Sequence, residues 1–142
     1  MESFDYLYAV SAQVNVQSST GDKATFTFAQ PVDVVGVGFI ADALLDVGAG
    51  FVFKFDRRVT AGSDTGRGDG DVGTLTNGTT DVVAGTVIYN DLAAPVELNA
   101  GDQVVFEVTN VADTAGTGFA FIKYQRRPFV AGRIAKAVKV TV

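Results

Sequence analysis

The chain has 142 residues, a net charge of −5, and neither histidine nor cysteine. Without histidine there is no ordinary general base near neutral pH, and without cysteine there is no thiolate nucleophile, zinc–thiolate site or disulfide. Acid carried by thirteen Asp and three Glu disfavours nonspecific nucleic-acid binding, and no run reaches the roughly eighteen apolar residues of a membrane span.

The first residues carry Glu2 and Asp5 where a secretory signal would place Lys or Arg, so no signal is expected. Short strands are predicted at 6–10 and 13–17, followed by a turn at 19–22. Over 23–28 the apolar phase is Ala24, Phe26 and Phe28, with Lys23, Thr25 and Thr27 on the other face. Residues 34–40 read as a strand buried on both faces. The best candidate for an amphipathic helix, 39–47, is too short, and glycine follows it, with a turn over 47–50. Phe51, Phe53 and Phe55 then point one way, and Val52, Lys54 and Asp56 the other.

Residues 60–71 hold four glycines, three aspartates and no large apolar side chain, which predicts an exposed loop. Strands are predicted at 73–76, 82–89 and 96–98, with turns at Asn77-Gly78, Asn90-Asp91 and 100–102. Over 103–108, Val104, Phe106 and Val108 share the core phase. Residues 117–124 again look buried on both faces. An arm is predicted at 126–133, before a last alternation of Ile134, Val138, Val140 and Val142.

Ten or so short strands and no amphipathic helix of ten residues predict one all-β domain over 1–142. Its class is an antiparallel β-sandwich, jelly-roll-like. Phe26, Phe28, Phe53, Phe55, Val104 and Phe106 are its expected core.

Asp64, Asp69 and Asp71 are oxygen ligands of the type calcium takes, but their spacing fits neither an EF-hand nor a nonapeptide repeat, and Arg67 sits among them. No metal and no cofactor are therefore expected. Arg67-Gly68-Asp69 spells an attachment tripeptide, yet Gly-Asp is ordinary turn chemistry. Two arginine pairs stand out, Arg57-Arg58 and Arg126-Arg127. Neighbours in a strand face opposite ways, so one member of each pair is a candidate interface anchor, and an intradomain ion pair is the equal alternative. Arg126-Arg127, followed by Pro128 and Phe129, is the favoured anchor, and its double replacement by Ala is expected to leave the fold intact. No carboxylate pair is placed for glycoside hydrolysis, so an enzyme is not expected. Tryptophan is absent, which leaves Tyr6, Tyr8, Tyr89 and Tyr124 as the residues that would stack on a sugar.

Val35-Gly-Val-Gly-Phe39, Phe53-Lys-Phe-Asp-Arg-Arg58 running into Thr60-Ala-Gly-Ser-Asp-Thr-Gly66, Leu98-Asn-Ala-Gly-Asp-Gln-Val-Val105 and Gly116-Thr-Gly-Phe119 carry a resemblance. Over residues 34–128 the chain resembles the small all-β head-decoration (cement) proteins of tailed bacteriophages. The resemblance implies a jelly-roll-like structural protein that binds the major capsid protein on the outer face of the shell and stabilises it. It also implies a homo-oligomer, a trimer above all, assembled in the host cytoplasm and carried on the virion surface. No nucleic-acid or membrane partner is expected. The Arg57, Arg58, Arg126, Arg127 and Phe129 side chains are the candidate contacts to capsid or subunit. The alternative is a carbohydrate-binding or adhesin-like sandwich module.

Overall fold

The computed structural model of the chain describes residues 5–17, 19–45, 50–58, 70–77, 81–110 and 116–127. These form nine strands: β1 (Leu7–Val10), β2 (Val14–Asn15), β3 (Gly21–Thr27), β4 (Val32–Ala41), β5 (Phe51–Arg58), β6 (Gly70–Asn77), β7 (Val87–Leu98), β8 (Gln103–Asn110) and β9 (Thr117–Arg126). All described pairings are antiparallel.

Sheet A runs β1-β9-β4-β7, with β2 continuing the β1 edge along β9, and sheet B runs β3-β8-β5-β6. The pairing is nested. The first strand pairs with the last, β3 with β8, β4 with β7, and β5 with β6. One long hairpin is thus bent double, and the β9–β4 and β8–β5 ladders complete the two sheets. This is the strand order of a jelly roll, an all-β antiparallel sandwich.

Period-two alternation dictates what lies between the sheets. Phe51, Phe53 and Phe55 of β5, Phe106 of β8 and Phe39 of β4 are fully buried. Their rings meet at centroid distances of 5.2 Å (Phe39–Phe53), 5.4 Å (Phe53–Phe106) and 5.1 Å (Phe55–Phe106), inside the range of favourable aromatic pairs. Phe26, Phe28 and Val104 are buried with them, so the predicted core phase is the observed one. The turn at 100–102 also forms. Gly101 adopts φ 88°, and the buried Asp102 carboxylate accepts the Asn99 N–H at 2.8 Å.

Three expectations change. Asn90 and Asp91 are not a turn: they lie within β7, opposite Val37 and Gly36. The strands predicted at 82–89 and 96–98 are not separate either. β7 runs unbroken from Val87 to Leu98, while Val82 makes only an isolated bridge to Leu45. The irregularity falls just after Asp91, where pairing steps from Gly36↔Asp91 to Val34↔Val96 and residues 92–95 of β7 form a bulge that includes Pro95. Long-range pairing has overridden the local turn preference of Asn and Asp. Finally, Gly70 and Asp71 open β6 and do not belong to the loop. The remainder of that loop with Asp64, Arg67 and Asp69, the turn at Asn77-Gly78 from Gly78 onward, Phe129 and the alternation at 134–142 lie outside the described residues.

Candidate binding face

On β9, Ala120 and Ile122 belong to the core, so Phe119, Phe121 and Lys123 point to the outer face of sheet A. Phe121 nevertheless retains only 6% exposure. It is covered by Tyr8 from β1, at 6.0 Å between centroids, and by Tyr89 from β7, at 6.1 Å with planes only 5° apart. The Lys123 ammonium lies 4.4 Å from the Tyr6 ring centroid and 5.8 Å from that of Tyr89. That is cation–π geometry in which the aliphatic stem also covers apolar surface.

β4 makes this layer possible. A Cβ at Gly36 would overlap the Tyr89 phenol, and one at Gly38 would overlap the Phe121 ring and crowd the Ile88 carbonyl. Two outward-facing glycines thus let aromatic rings from neighbouring strands lie on the bare backbone. This is also why 34–40 looked buried on both faces. The Tyr89 hydroxyl donates to the Asp91 carboxylate at 2.6 Å. Burial first, then that hydrogen bond and charge, hold the phenol protonated well above the ordinary tyrosine range.

Among the described residues, five of the seven exposed large hydrophobics lie on this face: Tyr6, Tyr8, Val10, Val87 and Tyr89, each 38–57% exposed. The outer face of sheet B is different. It presents Thr25, Thr27, Lys54, Asp56, Arg58, Gln103 and Glu107, and Arg58 reaches Asp22 at 3.5 Å and Glu107 at 3.7 Å. Asp56 lies directly opposite Asp71. Burial, a hydrogen bond with Asp71, and the charges of Asp71 and Glu107 raise Asp56 to about 6, with Arg58 opposing.

The predicted anchors sort as follows. Arg57 and Arg58 do face opposite ways: Arg57 lies across Gly70 on the core phase, and Arg58 is in the ion pairs just given. Arg126 is exposed at the mouth of a shallow cleft of about 280 Å³ lined by Phe28, Gln30 and Tyr124. Arg127 does not begin a free arm. Its side chain is 10% exposed, its Nε donates to Asp33 at 2.9 Å, and its terminal nitrogen donates to the Leu98 carbonyl at 3.2 Å. It clasps the end of β9 to β4 and β7, because a guanidinium fork can satisfy a carboxylate and a strand-end carbonyl together. Of the four tyrosines, Tyr6, Tyr8 and Tyr89 gather on sheet A, whereas Tyr124 turns to the core and packs edge-on to Phe28 at 5.1 Å. The signal that would have located the face is Gly36-Val-Gly38, glycine at alternate positions of an otherwise buried strand.

No protein-family model matches the chain, and no curated protein matches it. A solved structure described as Eiger TNF from S. frugiperda is similar over 87% of this chain and 94% of that one, at 11% identity and a TM-score of 0.43. The jelly-roll assignment rests on the strand order.

Proposed function

We propose that this chain is a structural virion protein that decorates and stabilises a phage capsid. It binds the outer face of the shell as an oligomer, and the aromatic face of sheet A is the docking surface. The observation that carries this is the asymmetry of the sandwich, with tyrosine rings and valines on one outer face and charge and hydroxyls on the other. Tyrosine is enriched in protein interfaces because its ring buries apolar area while its hydroxyl stays satisfied. The resemblance at residues 34–128 supplies the capsid as the partner class, and the jelly roll is a fold common among capsid-associated domains. The protein does no chemistry in this role. Its contribution is binding energy summed over several copies.

A carbohydrate-binding or adhesin-like module is the second reading, favoured by the parallel Tyr89 and Phe121 rings with Asp91 and Lys123 at their edge. The test is to mix purified protein with undecorated shells, then count bound copies and follow particle survival on heating. Saturable binding and a raised disruption temperature are expected. Absence of shell binding together with measurable glycan binding would overturn the first reading in favour of the second.

A further inference from the structure

A β-sandwich has sheet edges, and soluble proteins protect them with charge, proline, bulges or a covering segment. Among the described residues the sheets have four edges: β1 with β2, and β7, in sheet A; β3 and β6 in sheet B. Three are protected. β7 carries Asp91, Pro95 and Glu97 around its bulge, β3 carries Asp22 and Lys23 at a register shift, and β6 carries Asp71 beside another shift. β6 and β7 also meet, with the Asn90 amide donating to the Thr74 carbonyl at 3.2 Å.

Among the described residues no segment covers β1, and the one irregularity of its edge lies beyond it, where the register on β9 steps by one residue between Val10↔Phe121 and Val14↔Gly118. Leu7-Tyr-Ala-Val10 has no charge and no proline, and its register with β9 is unbroken from Leu7↔Tyr124 to Val10↔Phe121. Its outward side chains, Tyr8 and Val10, are 57% and 55% exposed, and Tyr6 before them is 49% exposed. The backbone phase is also fixed. Ser11 N–H donates to the Ala120 carbonyl at 2.8 Å, so by alternation Leu7 and Ala9 direct their backbone groups to β9. Tyr8 and Val10 direct theirs to the open edge.

We propose that β1 is the docking edge for a second copy of this chain, which makes a two-fold pair in place of the trimer that the resemblance implies. The two β1 strands pair antiparallel about a two-fold axis, with Tyr8 opposite Tyr8 and Tyr6 opposite Val10. In this register the open N–H and C=O groups face one another, and the exposed side chains form cross-strand pairs on one side of the joined sheet. Although each copy carries −5, Asp5 falls opposite Ser11, so no like charges meet across the seam. Sheet A becomes continuous through both copies. Their aromatic faces then lie side by side, and one pair presents twice the footprint of a single domain. The pairing needs no shell and is testable without one.

Sedimentation equilibrium of the intact chain should give twice 14.8 kDa. Tyr8→Lys and Tyr8→Glu, each placing like charges together on the axis, should weaken association at least about tenfold and sediment as monomers. An equimolar mixture of the two should recover the dimer, because lysine then faces glutamate. Val83→Lys, at an exposed valine away from this edge, should leave the dimer intact. Circular dichroism checks folding, and Val10→Lys, expected to be monomeric, serves if Tyr8→Lys unfolds. A monomeric or trimeric intact chain, a Tyr8→Lys dimer, or a mixture that stays monomeric would overturn the proposal.

Discussion

Gly36 and Gly38 serve the same aromatic layer but tolerate change differently. At Gly38 an added methyl meets the Phe121 ring and also the Ile88 carbonyl, which belongs to the neighbouring strand and has nowhere to go. Gly38→Ala should therefore cost about 1–3 kcal/mol in chemical denaturation. At Gly36 the methyl meets only the far end of the Tyr89 side chain, which can swing into solvent. Gly36→Ala should cost less than about 1 kcal/mol while releasing the Tyr89 ring, which a change in tyrosine fluorescence would register. The arginine pair at the end of β9 separates in the same way. Arg127→Ala leaves Asp33 and the Leu98 carbonyl without their partner and should cost about 2–3 kcal/mol, whereas Arg126→Ala should fall within about 0.5 kcal/mol of the parent. The sequence shows two adjacent arginines; only the fold shows that one of them is committed to the interior.

Phase along a strand is the element-scale property most legible in the chain. Phe51, Phe53 and Phe55 alternate with Lys54 and Asp56, so one face must be the core whatever the neighbours are. Phe53→Ala or Phe106→Ala, at fully buried sites, should cost about 3–5 kcal/mol by equilibrium unfolding. Pairing partners are not legible in that way. Asn90-Asp91 reads as a turn until Gly36 and Val37 are placed opposite it, and the double burial of β4 has no visible cause until β9 and β7 bring their rings across it. Nor does the spacing of Asp56 and Asp71 announce that they face each other on β5 and β6. Their proximity gives the hairpin a pH dependence. Asp56 has a folded value of about 6, raised from 3.8, so its stabilising contribution is full below about 3.8 and lost as pH rises through about 6. Melting curves of the parent and Asp56→Asn should agree most closely near pH 4 and separate as pH rises, because the parent loses stability relative to the variant between pH 4 and 7. A constant difference across that window would remove the pair from the pH response.

At the scale of the whole molecule, a chain without histidine and cysteine lacks the usual catalytic groups, which is why composition leads to an expectation of holding or binding. The jelly roll was legible as a class, from many short strands and no helix. Its nested strand order was not, because that order joins residues far apart in the chain. The candidate site divided likewise. Three of the four tyrosines proposed for ligand stacking do share a face, but the arginines favoured as anchors are partly absorbed within the domain: Arg58 by Asp22 and Glu107, Arg127 by Asp33. Docking through sheet A therefore shifts the expected contact from charge to aromatic area, and shell binding should depend only weakly on salt. The most direct measurement is the number of copies bound per shell for two surface variants of matched stability. Val87→Ala with Tyr89→Ala strips the β7 half of the aromatic face and leaves β1 untouched, and Thr25→Ala with Lys54→Ala alters the polar face of sheet B. Loss of occupancy in the first and parental occupancy in the second is the predicted result; full occupancy in the first, or loss only in the second, would contradict docking through sheet A.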